Sequence, residues 1–526
     1  MKLSSESLLS PPTNEGMTCP PPKVERDPGP PVEIAQGFLK TILRVRMSKA
    51  EKDKQDSTGR NMFSKQYAST YDNRLFMTRL ILEEKVKEEW QQGDNPPPFQ
   101  KISDLCTATT GARNVADISG HLPKQGKGGK KLTEADREQH LHIDEDLVVV
   151  IVGTIFKIQP EKPSILNELA EDHAMVPIKE KKKYISKKDY LILEDESTRV
   201  FLTPLENSGL RIDSVVNGVV CAVKGRPTLQ GRFNVEDVMW ATPKPAIWPI
   251  VRKLDVEMIF VSGLLLCDQH DSMSHIDLFF DYLQGLCGSP DELETRCKSK
   301  TRLFIVGDTF GRLRKEISAE KQTKATFTTV DPESVLRIEI AKKLDVILDQ
   351  LAQTMEVYIL PGELDPAEPM FPQAPFHRCI LPLASRRTMF HSLCNPTRID
   401  VTVSSASKKS PTSKLDIILS GGQNVINAKK NTATRNSIDT AEDILKWGHL
   451  CPTAPDTLAL HPDSDEEALV LTSLPNFFIV GGQKRFKIRE WKGTFIVTLP
   501  KFSDTGIAVI LDKTMNFVPL NIKLAK

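Results

Sequence analysis

Phe304-Ile-Val-Gly-Asp308, an apolar run that ends in a glycine and a carboxylate, is the stretch of this sequence that decides its fold. The same pattern returns at Ile359-Leu-Pro-Gly-Glu363-Leu-Asp365 and, ending in two glycines, at Phe478-Ile-Val-Gly-Gly482. Each copy is typical of a buried strand that is followed by a tight turn. The carboxyl ends of parallel strands lie at one edge of a sheet, where ligands commonly bind. These segments therefore predict an α/β domain whose strand ends hold, or once held, a functional site.

Strands and helices alternate around these segments from about residue 246 onward. Strands are predicted at residues 258–262, 302–306 and 357–360, and helices at residues 276–286, 335–356 and 440–447. Further strands at residues 416–420, 477–480, 494–498 and 506–511 would complete two sheets. Alternation on this scale predicts a layered α/β domain.

Short strands dominate the region before this domain, and most of them are rich in β-branched residues. They are predicted at residues 147–153, 190–194, 198–202, 219–223 and 232–236, with a helix-capable insertion, residues 164–173, after the first strand. Five such strands with one longer connection predict a small closed β-barrel of the OB type. Regularly spaced apolar residues add an amphipathic helix over residues 64–90.

Proline marks the boundaries of this arrangement. The runs Pro11-Pro12, Pro20-Pro21-Pro22 and Pro28-Gly-Pro-Pro31 predict a disordered tail over residues 1–35, because proline resists both helix and sheet. Pro243-Lys-Pro-Ala-Ile-Trp-Pro249 predicts a linker. This linker places the helix and barrel in residues 36–245 and the α/β domain in residues 246–526. Two polar stretches, residues 124–131 and 404–413, are expected to be surface insertions.

Composition excludes several classes of protein. The 526-residue chain has 70 basic and 69 acidic side chains, so a net charge of +1 supplies no global field for a polyanion, and any nucleic-acid contact must be local or indirect. The nine cysteines form no Cys-x-x-Cys pair, which argues against a zinc ribbon or a disulfide framework and favours a reducing compartment. We find no secretory signal and no uncharged apolar run of about 18 residues, so we expect no membrane segment and a location in the cytosol or nucleus.

The turns that follow the strands lack most ligands of a two-metal phosphoesterase, which holds two cations about 4 Å apart with carboxylates and imidazoles. The chain resembles the calcineurin-like family in its glycines but not in its ligands. The corresponding turns are Ser262-Gly263-Leu264, Gly307-Asp308 with Gly311 in place of the next Asp, Gly362-Glu363-Leu364-Asp365, and Gly481-Gly482-Gln483-Lys484. We therefore predict a vestigial site without catalytic, metal or cofactor-binding residues, formed by the turns at Gly263, Asp308, Gly362, Glu363, Asp365, Gly481 and Gly482.

Other hypotheses stay open at this point. Asp308, Glu363 and Asp365 could hold a hard cation loosely, with His449 of Gly448-His449-Leu450-Cys451 as a further ligand, and so retain phosphodiesterase or nuclease activity. The same carboxylates could instead cap their turns by accepting backbone N–H groups. The barrel could bind single-stranded DNA directly, although its aromatic residues are sparse and its basic run, residues 179–183, lies in a loop.

Several longer motifs carry a more specific resemblance, which extends from about residue 60 to about residue 520. The most specific are Leu360-Pro-Gly-Glu-Leu-Asp-Pro366 and Pro452-Thr-Ala-Pro-Asp-Thr-Leu458, supported by Lys65-Gln-Tyr-Ala68, Phe260-Val-Ser-Gly-Leu264 and Ser420-Gly-Gly-Gln-Asn424. With these motifs the chain resembles the B subunits of the eukaryotic replicative DNA polymerases alpha, delta and epsilon, and most closely the small subunits of DNA polymerase delta.

The resemblance implies an OB-fold β-barrel docked on an inactive calcineurin-like phosphoesterase α/β sandwich. It implies a nuclear, non-catalytic scaffold in DNA replication and repair, without a cofactor. Its partners would be the cysteine-rich C-terminal domain of the catalytic subunit of DNA polymerase delta and a third subunit, with the sliding clamp and DNA reached only through the complex. Archaeal relatives that keep the full ligand set act as nucleases, and this sequence departs from them at nearly every ligand position.

Overall fold

The structure is a computed structural model, and it describes residues 32–34, 67–92, 96–109, 147–162, 181–228, 230–245, 254, 256–266, 270–288, 300–311, 332–403, 413–461 and 467–522. The predicted insertions at residues 124–131 and 164–173 lie outside these ranges, as do residues 404–412 and most of the predicted tail. Within them, no helix is long and apolar enough to cross a membrane. Cys221, Cys287, Cys379, Cys394 and Cys451 are free thiols.

In chain order, the N-terminal elements are β1 (Val32–Ile34), α1 (Ala68–Glu89), α2 (Ile102–Thr109), β2 (Val149–Ile158), β3 (Tyr190–Glu194), β4 (Arg199–Pro204), β5 (Val220–Pro227) and β6 (Arg232–Trp240). They are followed by β7 (Val256–Val261), α3 (His270–Gln284), β8 (Lys300–Val306), α4 (Pro332–Leu351), β9 (Glu356–Leu360), β10 (Phe390–Ser392), β11 (Thr397–Val403) and β12 (Ser413–Ser420). The last are α5 (Gln423–Lys430), α6 (Ser437–Trp447), β13 (Phe477–Gln483), β14 (Lys487–Trp491), β15 (Thr494–Pro500), α7 (Phe502–Thr505), β16 (Ile507–Leu511) and β17 (Phe517–Asn521).

Five of these strands form a closed barrel in the order β2-β3-β4-β6-β5. All neighbours pair antiparallel except β4 and β6, which are parallel. Alternate side chains such as Ile151, Leu193 and Val223 point inward and are fully buried. The barrel strands are the five that the sequence predicts, and α1 confirms the predicted N-terminal helix.

Two six-stranded sheets make up the rest of the structure. The first sheet has the order β1-β11-β12-β13-β15-β14, and the second has the order β10-β9-β8-β7-β16-β17. Their inner faces share one hydrophobic core, in which the ring of Phe477 on β13 meets the ring of Phe517 on β17 edge-on at 5.0 Å. Helices α3 and α4 pack on the outer face of the second sheet, while α5 and α6 pack on the outer face of the first. The predicted layered α/β arrangement is confirmed.

Residues 32–34 correct one expectation. They fall in the segment predicted to be a disordered tail, yet they form β1 and pair antiparallel with Ile399–Val401 at the edge of the first sheet. Val32 and Ile34 lie beyond the last proline of the tail, and an unpaired sheet edge accepts a short apolar strand of this kind. The predicted domain limits otherwise stay predictions.

The barrel and the α/β part pack directly against each other. Inward residues of the barrel, such as Val223 and Phe233, belong to the same hydrophobic cluster as Ile444 and Trp447 of α6. Helix α6 ends at Gly448, whose left-handed φ of 71° suits glycine and turns the chain back toward the barrel. The two parts therefore bury each other's apolar surface.

A buried guanidinium joins α1 to both parts. Arg74 is fully buried, and it donates hydrogen bonds to the carbonyl oxygens of Gly218 in the barrel and of Pro452 and Ala454 in the α/β part, at 3.4, 3.0 and 2.9 Å. Its Nη2 also lies 3.4 Å from Oε2 of Glu467. Burial alone would raise the pKa of Glu467, but the charge of Arg74 holds it down at about 2. Arg74 and Glu467 are therefore a buried ion pair at the meeting point of three elements.

We predict that Arg74→Met lowers the free energy of unfolding by about 3–5 kcal/mol, because it leaves the Glu467 carboxylate buried without its partner. Arg79→Met is the matched control on the same helix. The ion pair of Arg79 with Glu196 is solvent-exposed, with side chains 27% and 51% accessible, and should contribute only about 0–1 kcal/mol. Urea denaturation of the full chain measures both variants, and equal losses would contradict a structural role for Arg74.

Candidate functional site

The turns that the sequence singles out come together where β7, β8, β9 and β13 end. A Cβ atom added to Gly362 would lie 2.2 Å from the backbone nitrogen of Asp308, and one added to Gly481 would lie 2.2 Å from the carbonyl oxygen of Val306. Gly482 also lies close by, since its added Cβ would be 3.5 Å from Oδ2 of Asp308. The glycines are needed here because the backbones of neighbouring turns touch.

Gly263 and Glu363 differ in how they take part in this site. Gly263 has a φ of 64° and faces Lys501, whose Cβ would lie 2.9 Å from a Cβ at position 263. Glu363 shares the turn of Gly362, but its side chain is exposed to solvent. The backbone N–H of Gly263 donates to the carbonyl oxygen of Gly307 at 3.0 Å, so Gly263 belongs to the buried centre, whereas the side chain of Glu363 lies outside it.

Ser262, which we singled out only for its lack of metal-binding capacity, joins the two sheets at this point. Its Oγ donates a hydrogen bond to the carbonyl oxygen of Val306 at 2.5 Å and accepts one from the N–H of Gly482 at 2.8 Å. Ser262 and Val306 belong to the second sheet, whereas Gly482 belongs to the first. A hydroxyl that both donates and accepts can make this connection, and a carboxylate could not.

The two buried carboxylates accept backbone N–H groups. Oδ1 of Asp365 accepts from Phe310 and Oδ2 accepts from Gly362, both at 2.7 Å, while Oδ1 of Asp308 accepts from Leu364 at 3.2 Å. Burial raises the pKa of Asp308, and it raises the pKa of Asp365 to about 7. The geometry is that of turn-capping carboxylates, one of the alternatives open at the sequence level.

Three buried amides fill the space beside these turns. Nδ2 of Asn395 donates to Oε1 of Gln373 at 2.7 Å and to Oε1 of Gln423 at 2.9 Å. Nε2 of Gln423 donates to the same oxygen of Gln373 at 2.9 Å, and Oδ1 of Asn395 accepts the N–H of Gly421 at 2.9 Å. We call Gln373, Asn395 and Gln423 the amide triad. Sequence reasoning missed it, since its members lie in three separate segments without a shared motif.

The described residues contain no group of three or more His, Cys, Asp or Glu side chains that could hold a metal ion. His449, the one imidazole proposed as a further ligand, is buried elsewhere. Its Nδ1 accepts the N–H of Cys451 at 3.1 Å, and its Nε2 lies 3.4 Å from Oε1 of Glu467. Burial and the nearby charge of Arg74 lower the pKa of His449 to about 4, so the ring is neutral at pH 7. The structure thus groups His449 with Arg74 and Glu467.

We predict that Asn395→Ala lowers the free energy of unfolding by about 1–3 kcal/mol, because it leaves the N–H of Gly421 buried without an acceptor. Asn516→Ala serves as the control, since its side-chain hydrogen bond to Thr514 is exposed. Urea denaturation of the two variants should separate them, and a loss for Asn395→Ala no larger than that for Asn516→Ala would show that the triad is dispensable for stability.

We predict that His449→Asn makes the protein less sensitive to acid. A histidine with a native pKa of about 4 and an ordinary unfolded pKa of about 6.5 takes up its proton first in the unfolded state, so stability is lost as the pH falls from 6.5 to 4. The loss should approach about 3 kcal/mol over that range. Asparagine can still accept the Cys451 N–H but does not titrate. Unfolding free energies measured from pH 7 to pH 4.5 test this, and parallel curves for wild type and variant would contradict it.

The two halves of the chain match two family models. Residues 66–238 match the DNA polymerase delta subunit OB-fold domain, and residues 258–487 match the B-subunit family of DNA polymerases alpha and epsilon. The first match covers helix α1 and the whole barrel apart from its last residues, which identifies the barrel as an OB-fold domain. The second covers β7 and most elements of both sheets.

Curated relatives share the same order of parts. The chain is 32% identical to the DNA polymerase delta small subunit of Arabidopsis thaliana over 378 residues, which are 71% of this chain and 81% of the relative. It is 31% identical to DNA polymerase delta subunit 2 of Drosophila melanogaster over 392 residues, 73% of this chain and 83% of the relative. The DNA polymerase delta small subunit of Saccharomyces cerevisiae is 27% identical over 397 residues, 69% of this chain and 76% of the relative. The chain belongs to the family of DNA polymerase delta small subunits.

Proposed function

We propose that this protein is a non-catalytic accessory subunit of DNA polymerase delta, acting in the nucleus in DNA replication and repair synthesis. The observation that carries the proposal is the composition of the strand-end site. Its glycine turns keep a close-packed backbone, while the side chains between them are hydroxyls, amides and N–H-bonded carboxylates. A site of this kind preserves a fold without supplying a metal or a nucleophile.

We infer that the α/β part is a calcineurin-like phosphoesterase fold that has lost its metal site. Two facing sheets with helices on both outer faces, and turns gathered at the carboxyl ends of parallel strands, support this assignment. Asp308 then occupies a former ligand position, with Gly263, Gly362, Glu363, Asp365, Gly481 and Gly482 as the remaining parts of the vestigial site.

The proposed partners are the cysteine-rich C-terminal domain of the catalytic subunit and a third subunit, with the sliding clamp and DNA reached through the complex. Apolar side chains exposed on α1 and the barrel support a role in assembly. Phe76 and Leu80 on α1 are 63% and 56% exposed, and Phe156 and Tyr190 on the barrel are 38% and 42% exposed. We expect the barrel and α1 to meet the third subunit.

A residual nuclease is the weaker alternative. Asp308 and Asp365 already accept backbone N–H groups, and His449 faces Glu467 instead of the strand ends. Incubation of the purified chain with Mn²⁺ and a phosphodiester substrate should give no turnover. Turnover that Asp308→Ala abolishes would overturn the non-catalytic assignment. Direct binding of single strands by the barrel would instead appear as retention of an oligonucleotide that increasing salt releases.

We predict that the chain co-purifies with the C-terminal domain of the catalytic subunit and with the third subunit when the three are co-expressed. Phe76→Ser with Leu80→Ser should weaken the capture of this third partner about tenfold or more, as expected for apolar anchors at an interface. The matched control is Val346→Ser with Leu383→Ser. These residues lie on and beside α4, away from α1, and are 45% and 42% exposed. Failure to capture the catalytic-subunit domain at all would refute the proposed function.

A further inference from the structure

Five cationic side chains from separate segments meet on one surface beside the strand-end site. Lys183 lies in the loop before β3, Lys429 in the last turn of α5, and Arg435 between α5 and α6. Lys484 lies in the connection between β13 and β14, and Lys487 is the first residue of β14. We call these residues the basic cluster. Lys183 ends the basic run at residues 179–183 and Lys484 ends the turn Gly481–Lys484, but neither pattern indicates that the five residues lie together.

Backbone contacts hold the segments of the basic cluster together. Nζ of Lys183 donates to the carbonyl oxygens of Thr432 and Thr434 at 2.8 and 2.7 Å, which ties its loop to the chain just before Arg435. Nζ of Lys429 donates to Oγ of Ser437 at 3.2 Å. At the other end of α5, a Cβ on Gly422 would lie 2.0 Å from the carbonyl oxygen of Gly481, so this helix starts directly against the end of β13. The cations are therefore fixed near one another by the fold.

Their charges repel one another. The pKa of Lys429 is lowered first by burial and then by the charges of Lys484 and Lys183, with a further contribution from Lys487. The pKa of Lys183 is lowered by burial and by the charge of Arg435. A chain whose net charge is +1 thus concentrates positive charge at this surface.

No carboxylate in the described part of the chain forms an ion pair with any of the five. Asp439 is the acidic group that acts on Lys429, and its Oδ1 is already paired with Arg489 at 2.8 Å. An isolated cluster of like charges costs free energy, and an external polyanion would remove that cost. Independent solvated lysines are the simpler interpretation, but Lys183 and Lys429 are only half-exposed and hydrogen-bonded in place.

The chemistry of the surface favours the phosphate backbone of a duplex. Proteins that bind single strands stack bases on exposed aromatic rings. Phe486, which lies between Lys484 and Lys487, packs against the core between the two sheets. Cations held on rigid elements match regularly spaced phosphates, which position a protein on DNA without reading sequence.

We propose that the basic cluster, formed by Lys183, Lys429, Arg435, Lys484 and Lys487, binds the phosphate backbone of duplex DNA directly. This contact uses one loop of the barrel but none of its strands, and it is separate from DNA reached through other subunits. It rests on the arrangement of charge, so it stands or falls independently of the partner-capture experiment.

The test measures binding of the full chain to a labelled, blunt-ended DNA duplex by fluorescence anisotropy over a series of salt concentrations. Lys484→Gln with Lys487→Gln should weaken binding about tenfold or more at moderate salt and reduce the slope of log affinity against log salt by about 2, one for each lost phosphate contact. The charge-preserving pair Lys484→Arg with Lys487→Arg should bind like wild type. Lys342→Gln with Lys343→Gln, two exposed lysines on α4 in the opposite layer, is the control and should change nothing.

Several results would overturn the proposal. The proposal is wrong if the wild-type chain does not bind the duplex at low salt. It is also wrong if the Lys484/Lys487 variant and the Lys342/Lys343 variant lose the same amount of duplex affinity. Tighter binding of oligo-dT than of the duplex would assign the surface to single strands. Binding of poly-glutamate in preference to the duplex would assign it to an acidic protein segment. Melting temperatures equal to that of wild type show that the exposed substitutions leave the fold intact.

Discussion

The buried guanidinium of Arg74 is the constraint on which the relative placement of α1, barrel and α/β part depends. Its donors reach one barrel carbonyl, two carbonyls of the turn at Pro452–Ala454 and the carboxylate of Glu467. A buried ion pair seldom adds much net stability, but it penalises every arrangement that leaves one charge unpaired. Arg74 therefore acts mainly by specifying one arrangement. The turn that begins the motif at Pro452 presents two of its carbonyl groups to this guanidinium.

The strand-end site shows how buried polar groups can hold a set of close-packed glycine turns in place. Ser262, the amide triad and the capping carboxylates satisfy the backbone groups of the turns and hold the two sheets at a fixed distance. In each of these interactions, both partners are groups of this chain. The centre is thus closed by its own hydrogen bonds, and the surface around it is left to make contacts with other molecules.

The elements that the sequence predicts best are those whose signal is local. The barrel strands and the alternating strands and helices of the α/β part follow from apolar periodicity and turn residues, and α6 from an apolar face ending at Gly448. The pairing of Arg74 with Glu467 spans 393 positions, and the amide triad joins three segments, so no window of sequence contains either. The low pKa of His449 results from its burial next to Arg74, and the motif Gly448–Cys451 does not reveal that neighbour. The family itself was within reach because a few motifs are specific, even where their contacts were not foreseeable.

The long separation between Arg74 and its acceptors also sets an order of events during synthesis. Pro452, Ala454 and Glu467 leave the ribosome only after the whole barrel and seven of the twelve strands of the two sheets have been made. At a synthesis rate of about 5–20 residues per second, roughly 20–80 s pass between the synthesis of Arg74 and that of Glu467. During that interval, α1 and the barrel can make their apolar contacts while a charge destined for the interior stays hydrated. The Arg74 guanidinium can therefore be buried only after Pro452, Ala454 and Glu467 have been made. A nascent chain released before that point would leave this charge exposed to water beside α1 and the barrel.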